Sequence, residues 1–351
     1  MNFASDNNSG IAPVVLDAIQ RASQGFAPAY GGDAATLRIR DRIAEIFAHE
    51  VAVFLVPTGT AANALALAHL SPPWGAVLCH VESHVIADEC GAPEFFGGGL
   101  KLIGLAGVAG KIAVATLAEA LARPMWGGPH HVTPSVLSLT QATEAGTVYS
   151  ADDIRALADV AHASGLAVHV DGARFANALA RLDMSPAAAT WKAGVDALSF
   201  GLTKTGALAA EAVVFFDPAK AAGMEERRKR GGHLVSKHRF LAAQFDAMLT
   251  DDLWLTLARH ANGKADRLAR SLAAAGLAPV WPVEANEVFV SLPAAADRRL
   301  KAAGATYYGW DSGSLPAGMS VGSDAVLVRL VTSFATTDDE IAQFVEAAAA
   351  R

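Results

Sequence analysis

Val136-Leu-Ser-Leu-Thr140, Ala151-Asp-Asp-Ile-Arg-Ala-Leu-Ala-Asp-Val-Ala-His-Ala-Ser164 and Leu166-Ala-Val-His-Val170 follow one another along the chain. The outer two are short apolar runs of strand length. The middle one repeats its apolar residues at helical spacing, so the trio predicts strand, amphipathic helix, strand. That order is the unit from which parallel α/β sheets are built. Working outward, Val51–Val56, Gly75–Cys79, Ala197–Phe200 and Ala212–Phe216 read as further strands, and Thr60–Leu70 as a helix. Glu82–Cys90 reads as loop or helix. Together these elements predict a parallel or mixed sheet.

After Pro218 the character changes. A charged helix at Glu225–Arg230 precedes Gly231-Gly232, and a long helical region runs to about Ala275. Ala278–Leu292 and Ala325–Val331 read as strands around Gly- and Ser-rich sequence, and Thr337 caps a closing helix at Asp338–Ala350. The expected division is a large domain over residues 1–245 and a smaller α+β domain over 246–351. With no linker between them, the two should pack tightly.

Composition narrows the function. The 351 residues are 52% hydrophobic and 18% charged, which excludes a disordered chain, a fibre and a disulfide miniprotein. A net charge of −7 offers no footprint for nucleic acid or an anionic membrane. The uncharged stretch Val51–Val81 is broken by Pro57, Gly59, Pro72 and Pro73 into pieces too short to span a bilayer. Cys79 and Cys90 match no zinc spacing and suit a reducing compartment, and Met1–Asp6 has no secretory pattern, so a cytoplasmic protein is expected.

Three motifs fall at strand ends. Lys204 follows an apolar strand in Ala197-Leu-Ser-Phe-Gly-Leu-Thr-Lys-Thr-Gly-Ala207. Burying its ammonium is costly unless it is paired or its pKa is lowered, and a lowered pKa is what a Schiff-base nucleophile needs. A surface lysine is the plainer alternative. Asp171, in His169-Val-Asp-Gly-Ala-Arg174, lies where open α/β sheets bind ligands and could hold a proton on a pyridine nitrogen, with Arg174 beside it. It could equally cap a helix. Thr58-Gly59-Thr60 joins a strand to a helix, an arrangement that suits a phosphate or a simple N-cap turn. The three together are the parts needed to hold pyridoxal 5′-phosphate.

A stacking partner for that ring is His84, in Glu82-Ser-His-Val-Ile-Ala-Asp-Glu89. His130 and His131 precede a strand, and one of them could enter the site as a base. Arg329 stands alone inside Val326–Val331, where its planar fork could bind a substrate carboxylate or equally pair with a distant Asp or Glu of the chain. Lys237 is a candidate anion contact.

With these residues assembled, the sequence resembles the fold-type I, pyridoxal phosphate-dependent L-threonine aldolases nearly end to end. The carriers are Ser5-Asp6, Tyr30-Gly-Gly-Asp33, Pro57-Thr-Gly-Thr60, Glu82-Ser-His84, His169-Val-Asp-Gly-Ala-Arg174, Thr203-Lys204 and Arg329-Leu-Val-Thr332. The resemblance implies an aspartate aminotransferase-like large domain with a mostly parallel sheet. It implies Lys204 as the Schiff-base lysine, His84 stacked on the cofactor, Asp171 on the ring nitrogen, and Gly59 and Thr60 at the phosphate. It also implies Ser5, Arg174 and Arg329 as carboxylate contacts, with Arg174 near the cofactor's phenolic oxygen as well, and a homotetramer of dimers with Tyr30 and Lys237 acting across an interface.

The implied reaction is retro-aldol cleavage of L-threonine, L-allo-threonine or a related amino acid such as phenylserine, with His84, His130 or His131 as base. Three local departures stand out: Phe3-Ala4 where an arginine is usual, Thr205-Gly206-Ala207 after the lysine, and Lys237 in place of an arginine. The alternatives are a β-eliminating lyase, an aminotransferase, a hydroxymethyltransferase and a catalytically silent cofactor-binding protein.

Overall fold

A computed structural model describes residues 1–310, 315 and 319–350. Seven strands form the main sheet: β1 (Ala52–Val56), β2 (Gly75–His80), β3 (Lys101–Leu105), β4 (Thr133–Thr140), β5 (Ala167–Gly172), β6 (Ala197–Gly201) and β7 (Glu211–Phe215). Their order is β1-β7-β6-β5-β4-β2-β3. The pairs from β3 to β6 are parallel, whereas β7 runs antiparallel to both β6 and β1. The sheet is therefore mixed and mostly parallel, as expected.

Covered on both faces, β2, β6 and β7 are buried along their whole length, which is why they read as unbroken apolar runs. The helix Ala151–Ala163 crosses from β4 to β5. Its start is fixed by a capping box in which Ser150 accepts from the Asp153 N–H and Asp153 accepts from the Ser150 N–H. Two elements depart from expectation in a way that matters for the site. β5 continues through Asp171, so that carboxylate stands on the strand and does not cap the next helix. The helix after β1 begins at Gly59, with Thr58 accepting from the Ala61 N–H as its cap.

A second antiparallel sheet, β8 (Glu287–Pro293), β10 (Ala325–Val331) and β9 (Tyr308–Gly309) in that order, lies toward the end of the chain. The strand expected from Ala278 begins only at Glu287; before it the chain makes just an isolated antiparallel bridge, Pro279 to Val290. The Gly- and Ser-rich stretch between β9 and β10 falls partly outside the described residues. The expected long helical region is two helices, Arg239–Leu249 and Leu253–Ala274, broken where Asp251 and Asp252 both take φ of 52°. Residues 245 and 246 lie inside the first of these.

The long helix serves two cores. Trp254 and Ala258 pack under the main sheet, while Ala265, Leu268 and Leu272 pack with β8 and β10. Phe3 joins that second core, with its ring 5.1 Å from that of Phe344. Its backbone donates to Thr306 O and accepts from the Val331 N–H, both at 2.8 Å. The chain's first residues are thus stitched to its last third, and this carries Ser5 and Asp6 to the sheet edge.

Candidate active site

Parallel strands leave their carboxyl ends on one edge, and the register here brings specific residues level. Thr140 on β4 pairs with Asp171 on β5. Glu211, at the start of the antiparallel β7, faces Gly201 on β6 and Val56 on β1. Above this edge lies a cavity of about 960 Å³, large enough for a cofactor with a small substrate. Ser5, Thr58, Gly59, Thr60, His84, Asp171, Arg174, Lys204 and Arg329 line it, so nine of the expected site residues meet in one place.

Asp171 is fixed by two donors: Asn63 Nδ2 at 2.8 Å to Oδ2 and the Ala173 N–H at 3.0 Å to Oδ1. The same Asn63 amide group reaches Glu89 Oε1 at 2.8 Å, and Glu89 Oε1 also lies 2.9 Å from His84 Nδ1. Burial pushes the Glu89 carboxyl up, and the hydrogen bond to Glu89 raises His84, so the pair keeps a proton to higher pH than either group would alone. The tie at Nδ1 also fixes the tilt of the imidazole ring. Behind Asp171, buried His169 bridges Ser138 Oγ at 2.9 Å and Ser199 Oγ at 3.0 Å. Burial lowers it to about 4, so it is a neutral structural strut.

Arg174 spans to the start of the chain. Its Nε donates to Asp6 Oδ2 at 2.8 Å and its Nη2 to Asp6 Oδ1 at 3.1 Å, a two-point pair buried on both sides. Burial alone would raise Asp6, but the charges of Arg174 and Lys204 outweigh it and hold the carboxyl below its usual range. Glu287 ties the second guanidinium into the cluster, with Arg174 Nη1 at 3.4 Å and Arg329 Nη1 at 3.7 Å. Arg329 also lies over Trp310, 4.7 Å from the ring centroid. Two arginines thus converge on one side of the cavity, where two carboxylates balance their two charges: Asp6 and Glu287 against Arg174 and Arg329. A substrate carboxylate is the natural further partner for their remaining donors.

Lys204 sits in the single turn Thr203–Thr205 directly after β6, half-buried in the cavity wall. Beside it, Glu211 accepts from Thr203, and burial pushes this carboxyl up to about 7 despite those bonds and the nearby Lys204 charge. Gly201 makes room for it: a Cβ there would stand 2.7 Å from Glu211 Oε2 and 2.9 Å from the Ala173 Cα. At the opposite side, the first turn of the helix Gly59–Leu70 opens to the cavity, where a Cβ on Gly59 would find no neighbour nearer than 3.9 Å. Open N–H groups at a helix start suit a phosphate. An ammonium, a fixed carboxylate opposite it, a tethered imidazole and this turn fit pyridoxal phosphate in size and in donor chemistry.

The remaining expectations fall elsewhere in the single chain. His130 and His131 are exposed and stack edge-on against each other 6.4 Å apart, outside the cavity. Tyr30 is exposed, with Lys229 Nζ 4.5 Å from its ring centroid, and Lys237 is exposed as well. Sequence reasoning did not assign Asp6, Asn63, Glu89, Glu144, Glu211 or Glu287. Asn63 and Glu89 carried a faint signal, an amide in an Ala- and Leu-rich helix without acid, Lys or Arg and an acid just beyond His84.

Comparison with known proteins supplies the family and supports the fold. A family model described as beta-eliminating lyase matches residues 2–295. The low-specificity L-threonine aldolase of Pseudomonas aeruginosa is 45% identical over 308 residues, 87% of this chain and 88% of that one. Among solved structures, a threonine aldolase of Leishmania major superposes with a TM-score of 0.90 at 28% identity, covering 98% of this chain and 97% of its own. A serine palmitoyltransferase from S. paucimobilis with bound PLP shares the fold at 17% identity and a TM-score of 0.69, over 99% of this chain and 86% of that one. By the match across most of its length, the chain belongs to the beta-eliminating lyase family and, within it, to the low-specificity L-threonine aldolases.

Proposed function

We propose that this chain holds pyridoxal 5′-phosphate through Lys204, Asp171, His84 and the Thr58–Thr60 turn, and that it cleaves L-threonine, L-allo-threonine and related L-3-hydroxy-α-amino acids to glycine and an aldehyde. The observation that carries the reading is the placement of Lys204 and Asp171 in one cavity with Arg174 and Arg329 on a single side. When bound, the cofactor supplies an electron-accepting ring conjugated with the substrate nitrogen. The protein's part is orientation and proton handling.

Arg174 and Arg329, braced by Asp6 and Glu287, bind the substrate carboxylate, with Ser5 beside them. Holding that group fixes rotation about the bond to Cα, so the Cα–Cβ bond can be set perpendicular to the ring plane. Asp171, fixed by Asn63 and the Ala173 N–H, keeps a proton on the ring nitrogen. His84, tethered through Nδ1, presents its ring face and leaves Nε2 free to exchange protons. The positions of Tyr30 and Lys237 on the surface support a further element of the reading, in which each reaches the cavity of a neighbouring subunit in a homotetramer of two dimers. Light scattering of purified protein tests that assembly.

The family description favours one rival, β-elimination. Products separate the two: equal glycine and aldehyde from L-threonine support cleavage, whereas ammonia with a keto acid supports elimination. The test is a visible spectrum of the protein with pyridoxal phosphate before and after glycine, with aldehyde release measured in parallel from L-threonine, L-allo-threonine and phenylserine. A band that shifts with glycine, together with aldehyde, supports the reading. No band after adding the cofactor overturns it. Among the described residues no helix is long and apolar enough to cross a membrane.

A further inference from the structure

We propose that Glu144 is the group that takes the proton from the substrate's β-hydroxyl. The inference rests on the aldolase reading of the cavity and adds to it a catalytic residue outside the histidines. Glu144 lines the same cavity as Lys204, Arg174 and Arg329. Its Oε1 is saturated, accepting from the His84 N–H at 2.7 Å and from Thr140 Oγ1 at 3.0 Å. Its Oε2 is buried and has no partner among the described residues. A carboxylate oxygen that is shielded from water, lacks a donor and belongs to a residue lining the substrate cavity is a proton acceptor waiting for a donor.

The carboxyl is also rigidly aimed. It projects from the tight turn Thr143–Thr147, closed by the Thr143 N–H to Thr147 O and the Gly146 N–H to Thr143 O, both 2.9 Å. The two threonine hydroxyls lie 2.8 Å apart. Gly146 takes φ of +69°, and a Cβ there would stand 2.9 Å from Glu287 Cβ, so the turn packs directly against the residue that ties the two arginines together. Burial, opposed by the His84 N–H, pushes Glu144 up to about 7, where a group can both take and return a proton near neutral pH. His84 is a poorer acceptor by comparison, because its bond to Glu89 holds it protonated to higher pH than usual.

The step balances within the substrate. The β-O–H bond breaks and its proton passes to Glu144 Oε2, and the freed electron pair forms the aldehyde C=O. The Cα–Cβ pair stays with the glycine fragment, and one proton is added at Cα. No proton is gained or lost overall, and no oxidant is needed.

Glycine lacks a β-hydroxyl, which makes the test selective. In the pyridoxal phosphate-loaded enzyme, Glu144→Gln should lower kcat for L-threonine cleavage on the order of 100-fold or more, the range typical of a lost general base. Its glycine-induced spectral change and its exchange of the glycine α-proton into D2O, followed by NMR, should stay within about twofold. Cleavage retained within threefold overturns the proposal. So does a parallel loss of cleavage and glycine exchange, which would mark a structural role. A wild-type enzyme with no glycine-induced change overturns the aldolase reading itself.

Thr140→Val provides a second, milder probe. Removing that donor to Oε1 should raise the Glu144 pKa and move the rising limb of the kcat/KM profile to higher pH. The charged and titratable groups facing Glu144 are Asp171, Arg174, His84, Tyr149 and Cys79, all unchanged in this variant. An unmoved limb overturns the assignment.

Discussion

Replacing Asp6 with Ala should damage stability and carboxylate binding together. In the folded protein Asp6 accepts three hydrogen bonds, at 2.8 and 3.1 Å from Arg174 and 3.0 Å from Asn286 Nδ2. Both Asp6 and Arg174 are buried. Truncating one member of a buried pair leaves the other charge uncompensated, at a cost of about 3–5 kcal/mol. Glu287 remains 3.4 Å from Arg174 and softens that loss, so the expected value is near 3 kcal/mol. Against a total stability of about 5–15 kcal/mol that is a large fraction, readable by urea unfolding of the cofactor-free protein at pH 7.

The pH of the measurement matters. Because the Asp6 pKa is depressed in the folded state, its contribution is complete above the unfolded value of 3.8 and disappears only as pH falls through the lower folded value. At pH 7 the full effect is present. In the loaded enzyme, an Arg174 released from Asp6 should raise KM for L-threonine more than it lowers kcat. Asp6→Asn, which keeps one acceptor, should lose about half as much stability as Asp6→Ala. A loss under 1 kcal/mol for Asp6→Ala, with KM unchanged, would refute the view that this pair positions the carboxylate side of the cavity.

Lys204→Ala should remove the lysine-dependent visible band and abolish turnover, and a variant with normal turnover would end its assignment. Asp171→Asn keeps the shape of the side chain but not its charge; the expected result is a shifted cofactor spectrum with a fall in cleavage rate of at least tenfold, read by absorbance and aldehyde assay. Glu211 is raised to about 7 when folded, so without cofactor it stabilises the fold below pH 4.5 and that benefit is lost as pH rises through 7. Glu211→Gln should flatten the fall in stability between pH 5 and 8, by ~3 kcal/mol at most. An identical fall in the two proteins, measured by urea unfolding, would show that the carboxyl ionises freely where it sits.

Strand ends and the residues on them could be read from local sequence, because a buried parallel strand is an apolar run whose last residue is polar for a reason. Asp171, Lys204 and the Thr58–Thr60 turn were legible in that way. Glu211 was not. It opens an apolar run, where an acid looks like a surface residue at a strand tip, and only the antiparallel insertion of β7 between β1 and β6 sets it beside Lys204. Nothing local encodes that insertion. Glu89, Glu144 and Glu287 share the difficulty, since each is buried by partners from distant elements. β3 escaped notice because it is short, carries Gly104 and lies at the sheet's edge, half covered.

The stitching of Phe3 to Thr306, Val331 and Phe344 also orders events in time. A chain leaving the ribosome exposes its first residues long before their partners exist, and closing so long a loop is entropically slow. The main sheet can assemble from residues 52–215 without waiting. Asp6, carried by the same segment, can brace Arg174 only after the last strand and helix have formed. A chain made only as far as the main sheet would therefore have its lysine and aspartate in place but lack an aligned carboxylate grip, so synthesis through Val331 and Phe344 precedes the onset of substrate binding.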